Sequence, residues 1–408
     1  MIVFGPSLLP LLVVASALGG SAEGQAPAPS KPAAASSAPT TTREPALSFD
    51  EVAKRAATAR EAEAPEDAVK WYRRGVKLSP SWEEGWWYLG SLCYSTDRYA
   101  EARDAFGKFL ALKPEAGPAW ALRGLSEFRL KQYDEAQRHL AKGMSLGSVG
   151  NGEIRKVVYY HFALLRIRAG QFELALEPLQ TLARSGPETP ALLDACGLVA
   201  LRDGRLPADI PAEKGEMVRS AGAAVYSGLG LKLDEMQSRF DALLVRYPAV
   251  PNLHYTYGLF LKDVDAAKAL GAYEREVEVQ PGAVLPRLEL AFAHETNGRY
   301  AEALPWAEAA VKLAPRLFAA HYALGRALVE LGPPERAVQE LEQAVSLAPE
   351  SPEVRFALVR AYGAAGRTDD VERERAVFRK LVAERKGPSD VPGFARDLTV
   401  PPEPPSKP

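Results

Sequence analysis

The stretch EEGWWYLGSLCYSTDRYAEARDAFGKFLALKP, from Glu83 to Pro114, decides the fold of this chain. Trp86, Leu89 and Gly90 stand at helical spacing, Ala102 and Phe106 do the same after a short polar break, and Pro114 closes the segment. The same order returns at a fixed distance. Pro80 and Pro114 are 34 residues apart, as are Pro281 and Pro315, and Pro315 and Pro349. Leu290, Ala291, Ala303, Ala307 and Ala310 precede Pro315; His321, Leu324, Gly325, Ala337, Leu341 and Ala344 precede Pro349. A period of this length, with small residues at fixed places, predicts stacked helix–turn–helix units. Such an array has one elongated core in place of two or three separate domains. Its function is then read from a surface, not from a catalytic motif.

Outward from Glu83 the units can be counted. The preceding one runs from about Phe49 to Ser81 and carries Ala68, Tyr72 and Gly75; the next one carries Trp120, Gly124, Ala136 and Leu140. Gly147, Gly150 and Gly152 mark a short insertion, and a fourth unit uses Tyr159, Phe162, Ala163, Ala175, Leu179 and Pro187. The middle is irregular. Leu193, Cys196, Gly197 and Ala200 make a first helix, but Pro207 and Pro211 then interrupt the chain, and no matching second helix is read there. Proline inside a helix costs about 3 kcal/mol, so residues 203–216 are expected to be a loop or a lone helix with an extended return. Order resumes at Glu216, and Ala223, Ala224, Met236, Phe240, Leu243 and Pro248 fit another unit. From Pro187 to Pro248 is 61 residues, so one unit is short by seven. Regular units continue to about Lys386, the last with a charged second helix (Glu372, Arg373, Glu374, Arg375) suited to a terminal cap. Gly90, Gly124, Gly197, Gly258 and Gly325, and Ala102, Ala136, Ala303 and Ala337, are expected where the paired helices approach closely. A larger side chain there would overpack the contact by roughly 1–3 kcal/mol.

The ends read differently. Ile2 to Leu18 is almost wholly apolar, and small residues come next at Gly19, Gly20, Ser21 and Ala22. Residues 1–22 therefore read as an export signal, cleaved after Ala22 or Ala26, or as an uncleaved N-terminal anchor. Residues 23–47 are Ala-, Pro-, Ser- and Thr-rich and residues 387–408 are proline-rich, so both are expected to be disordered. Lys+Arg 50 against Asp+Glu 52 leaves no electrostatic footprint for nucleic acid, and Arg73-Arg74-Lys77 and Arg379-Lys380 read as solvated helix faces. Cys93 and Cys196 fall in separate units at small-apolar positions and read as packed free thiols.

No catalytic constellation is legible. The five histidines, His139, His161, His254, His294 and His321, never stand at i, i+4, and no metal, phosphate-loop or nucleophile-elbow motif occurs. His254, His294 and His321 fall at positions the repeat buries, which predicts structural histidines. Asp203, Asp209, Glu213 and Glu216 are the one group of carboxylates in the irregular segment, without a His, Cys or Ser to complete a nucleophilic set.

Trp86-Leu89-Gly90, Ala102, Phe106 and Pro114, and again Leu324-Gly325, Ala337 and Pro349, resemble the tetratricopeptide repeat family, over roughly residues 48–386. The resemblance implies an all-α, right-handed α-solenoid of about ten antiparallel helix–turn–helix units, irregular at 203–216. It implies no enzyme, cofactor or metal. In this family the concave face is offered by the second, fifth, ninth and twelfth residues of each unit. Counted here, these are Trp87, Tyr94, Phe128, Tyr160, Tyr255, Phe292, Tyr322 and Phe356, with Arg60, Lys262, Glu295, Arg326 and Arg360 as charged members. The Lys and Asn clamp by which some members hold a peptide carboxylate does not recur. The aromatic lining suggests a groove for an extended segment or a partner helix; the alternative is that these rings pack between neighbouring first helices. The expected function is a non-enzymatic protein-interaction scaffold of the bacterial cell envelope or periplasm, similar to secreted bacterial members of the family. Its partner is a protein or peptide, with no nucleic acid and with membrane contact only through the N-terminus. Arg326 and Arg360 would give selectivity. A glycan- or small-ligand-binding module is the alternative.

Overall fold

The computed structural model describes residues 47–147 and 152–384. The expected export signal, all but the last residue of the linker, the tail from residue 387 and most of the Gly147–Gly152 insertion lie outside the described residues. The described chain is an all-α repeat solenoid of nineteen helices. They are α1 (Phe49–Glu61), α2 (Pro65–Leu78), α3 (Glu83–Ser95), α4 (Tyr99–Leu112), α5 (Gly117–Arg129), α6 (Tyr133–Ser145), α7 (Gly152–Arg168), α8 (Phe172–Ser185), α9 (Pro190–Ala200) and α10 (Gly215–Leu229). The chain continues through α11 (Leu233–Arg246), α12 (Leu253–Leu261), α13 (Ala266–Val279), α14 (Leu285–Thr296), α15 (Tyr300–Leu313), α16 (Phe318–Leu331), α17 (Pro334–Leu347), α18 (Pro352–Ala364) and α19 (Thr368–Glu384).

Burial tells the two helices of a hairpin apart. In α17 one stripe is buried: Ala337, Val338, Leu341 and Ala344. That is the pattern of a helix with one face in water. Its partner α16 is buried almost all round, from Phe318 to Leu328, as an inner helix flanked on both sides must be. Gly325 lets the two approach: a Cβ built on it would stand 2.9 Å from a methyl carbon of Leu341. Gly90 meets the Phe106 ring at the same 2.9 Å, and Gly124 meets Leu140 likewise. The opposing Ala102, Ala136, Ala303 and Ala337 are wholly buried.

The period is also written in the backbone. Asp97 has φ +59°, and its N–H and that of Arg98 turn back to the carbonyls of Tyr94 (3.3 Å) and Cys93 (2.8 Å). This left-handed cap satisfies the end of α3 and reverses the chain into α4. Positive φ recurs at Glu63 and Lys131, and again at Gly298, Gly332 and Gly366, each one period from the next. At the other end of the hairpin, the fourth residue of the next unit reaches back to the carbonyl of the turn proline. Trp86 Nε1 donates to Pro80 O (2.8 Å) and Trp120 Nε1 to Pro114 O (2.8 Å). His321 Nε2 donates to Pro315 O (2.9 Å) and Arg355 Nε to Pro349 O (2.9 Å).

The described residues divide into two compact units, between Leu165 and Arg166. The first has a core running from Ala56 through Tyr72, Phe106 and Leu140 to Phe162 and Leu165. The second contains the irregular middle. After α9 the chain makes two 3-10 turns, Pro207–Asp209 and Ala212–Lys214, and then forms α10. Helix α10 folds back antiparallel on α9 and, through a left-handed turn at Leu231, leads into α11, so the first helix of the next unit also serves as the partner of α9. Gly197 lies against the backbone of Val218, and Gly222 against that of Leu193; a Cβ on Gly222 would be 2.7 Å from the Leu193 carbonyl carbon. Cys93 and Cys196 are free and buried, and burial pushes the Cys93 thiol up to about 12.

Candidate partner-binding face

The residues expected on the concave face divide by burial. In the first unit Trp87 is half-buried against Phe106 (5.8 Å between centroids) and Phe109 (5.5 Å). Phe128 is half-buried against Tyr133 (5.5 Å) and His161 (4.7 Å), and Tyr160 also stands beside His161 (5.5 Å). Tyr94 is buried against Tyr99. In the second unit Tyr255 is buried, with Tyr273 and the Arg202 guanidinium on its ring, and Tyr322 is buried with Arg326 over its ring at 5.4 Å. Tyr94, Tyr255 and Tyr322 are therefore corrected from partner-binding to core positions: the helices pack too closely to leave these rings a free face. Phe292 is half-buried, 6.2 Å from Tyr322. Phe356 is 52% exposed and rests on Phe378 at 5.6 Å. Arg360 is exposed and pairs with Glu330 across from the preceding first helix.

Three carboxylates are buried among the described residues, and their surroundings differ. Glu127, in the first unit, accepts from Arg123 Nε (3.1 Å) and lies 2.6 Å from His139 Nδ1. Glu276, on α13, reaches the start of α12, where Asn252 N–H (2.7 Å) and Tyr255 N–H (3.1 Å) donate to its carboxylate, which closes the positive end of that helix. Glu295, on α14, has no hydrogen bond to either oxygen. Arg326 Nε lies 3.3 Å from its Oε2, outside hydrogen-bond geometry. Burial pushes the Glu295 carboxyl up to about 7, with the Arg326 charge opposing. On the same helix Glu289 is also held above the usual carboxylate range, first by burial; Lys262 opposes this, while Glu173 and Asp263 add to it.

The carboxylates of the irregular segment are arranged otherwise. Asp203 is clasped by Arg205 and Glu216 pairs with Arg246, and both are held below the usual range by those hydrogen bonds. A general acid wants the opposite shift. Asp209 and Glu213 are exposed. Among the described residues no group of three or more His, Cys, Asp or Glu could hold a metal ion, and no helix is long and apolar enough to cross a membrane.

Family models of the tetratricopeptide repeat match residues 89–142, 259–317 and 318–361. These segments of the chain are tetratricopeptide repeats. Repeats of this kind mediate protein–protein interactions, and the chain is built as a scaffold of that class. Among solved structures it is similar to MamA from Desulfovibrio magneticus RS-1, with 22% identity over 37% of this chain and 84% of that one, at a TM-score of 0.33. Another MamA crystal structure gives 16% identity over 43% and 98%, at a TM-score of 0.38. A tetratricopeptide repeat protein from Parabacteroides merdae ATCC 43184 gives 12% over 77% and 98%, at 0.31. No curated protein matches the chain in sequence.

Two features of this repeat protein escape position counting. The recurring donor to the turn proline could have been found, since Trp86, Trp120, His321 and Arg355 share one register and one property, a planar N–H group. The isolation of Glu295 could not, because it depends on where the neighbouring Arg326 side chain points.

Proposed function

We propose that this repeat protein is a non-enzymatic interaction scaffold exported to the bacterial cell envelope or periplasm. It binds an extended segment or helix of a protein partner along the first helices α14, α16 and α18. The observation that carries the reading is Phe356, a large aromatic left half-exposed beside Phe378 on a first helix. Aromatic and arginine side chains dominate the energetics of protein contacts, and Arg360 lies one helical turn further along α18. The apolar run Ile2–Leu18, with small residues after it, supports export.

Site-specific photo-crosslinking in the native cell tests the face. A crosslinker at position 356 is expected to capture a discrete partner, and one at Val245, an exposed site on α11, is not. Equal capture at both positions, or none at 356, would sink the assignment. The address is tested by fractionation and by sequencing the mature N-terminus. Cleavage after Ala22 or Ala26 supports export; a cytoplasmic chain that begins at Met1 refutes it.

A further inference from the structure

We propose that Glu295 is the recognition point for a cationic side chain, Lys or Arg, of the partner segment. The inference rests on the reading of α14–α18 as the docking face and adds the chemistry of the occupant. Its basis is the contrast among the three buried carboxylates. Glu127 and Glu276 have their hydrogen bonds supplied by the protein, whereas Glu295 has none. A buried acceptor without a donor is costly, and native structures leave few of them. Glu295 stands at a register position of the expected groove, three residues after Phe292 on α14 and beside Arg326. Its neighbour Arg326 is 30% exposed, so its side chain has room to swing into solvent and uncover the carboxylate.

Glu289 and Asp263 make no ion pair within 4 Å among the described residues, and Lys262 is the single cation acting on Glu289. The Glu173 carboxylate nearby is already taken by Arg202. Around α14 the carboxylates Glu289 and Asp263 and the cations Lys262 and Arg287 thus stand outside any ion pair among the described residues. A partner cation entering at Glu295 forms a charge-assisted hydrogen bond where none exists. An acidic segment would be repelled, and a neutral one would leave the carboxylate unsatisfied.

Fluorescein-labelled seven-residue peptides of alternating Ala and Lys, Ala and Gln, and Ala and Glu are titrated with the full chain by fluorescence polarisation. The Lys peptide is expected to bind at least tenfold tighter than the Gln peptide, and the Glu peptide not to bind. Glu295→Gln is expected to abolish the preference, while Glu372→Gln, an exposed carboxylate on α19, keeps it. Melting temperature is the second readout: Glu295→Gln should melt close to the wild type, because the carboxylate has no hydrogen bond and its ion-pair partner Arg326 is 30% exposed and can turn to water. A structural role would lower it. Wild-type affinity in Glu295→Gln, or equal binding of the Lys and Gln peptides, overturns the proposal. If the Lys preference survives Glu295→Gln but is lost in Phe356→Ala, the docking face stands and the role of Glu295 falls. If no peptide binds and crosslinking at 356 is blank, both fall.

Discussion

Gly222→Ala tests how the irregular middle is held together. In most helices this change adds up to about 1 kcal/mol of stability, because alanine has the higher helix propensity. At Gly222 the new Cβ would overlap the carbonyl oxygen of Leu193, and would lie 2.7 Å from its carbon and 2.9 Å from the backbone nitrogen of Gly197. Ordinary contact for a Cβ begins at 3.4 Å. Clearing the carbon alone moves the helices apart by about 0.7 Å, and the opposing atoms are backbone, so no rotamer change relieves them. A gap of that size forfeits roughly a quarter to a half of the dispersion well at each contact it opens. Ala195, Cys196, Ala221 and Val225, all buried in these two helices, share that loss. The cost then sits at the top of the overpacking range, about 3 kcal/mol. Less the propensity gain, the expected net loss is about 2 kcal/mol. Gly271→Ala is the control: Gly271 lies in α13 with open space around it, and the same change there should stabilise. The assay is thermal unfolding by circular dichroism, with hydrogen exchange to localise the loss, since repeat arrays need not unfold in one step. Faster exchange confined to α9 and α10 is expected. If Gly222→Ala is as stable as the wild type, or gains as Gly271→Ala does, the close backbone contact does not hold this segment.

Two further outcomes are expected. Leu231 has φ +61° in the turn after α10 and is 65% exposed, so Leu231→Gly relieves left-handed strain with little loss of burial; a gain of about 0.5 kcal/mol or more in chemical denaturation is expected, and a loss would refute the strain. His321 donates from Nε2 to Pro315 O and lies 2.7 Å from Glu340 at Nδ1, and the Glu340 hydrogen bond raises its pKa. A raised folded pKa gives stability that is complete below the unfolded value of about 6.5 and lost as pH rises through the folded one. Melting temperature should therefore fall more between pH 6 and pH 8 in the wild type than in His321→Gln, and equal slopes would refute the charged pairing.

The hairpins were legible because their cause is local. A turn proline, a small residue at the close approach and a left-handed cap each act within one unit, so a 34-residue period exposes them. The break in the middle was legible as a failure of spacing, but its resolution was not. Which helix pairs with α9 across the long connection from Leu201 to Lys214 is a tertiary choice, and only the juxtaposition of Gly197 with Val218 and of Gly222 with Leu193 records it. The candidate face shows the same limit. Counting register positions found residues of one kind, yet Tyr322 is core and Phe356 is exposed. The difference is the neighbour: α18 packs beyond Tyr322, whereas no further first helix among the described residues packs beyond Phe356. Register says which way a side chain points, and stacking decides whether anything lies beyond it.

The interchange of Trp86, Trp120, His321 and Arg355 at one register narrows where function can lie. These side chains differ in size, charge and hydropathy, so packing alone would not accept them at the same place. What they share is a planar N–H that reaches the carbonyl of a proline six residues earlier. That carbonyl stands at the turn between hairpins, after a helix whose last carbonyls lack partners. Closing it with a side chain from the next unit ties consecutive hairpins by a hydrogen bond worth about 1 kcal/mol each time it recurs. His254 makes the same approach to Pro248 O at 3.2 Å, and burial holds its pKa down. Trp86, Trp120, His254 and His321, which would otherwise suggest ligation or stacking on a ligand, are thus accounted for by the repeat itself. What the repeat does not account for is a buried carboxylate on α14 without a hydrogen-bond donor, on the same run of first helices as the exposed Phe356.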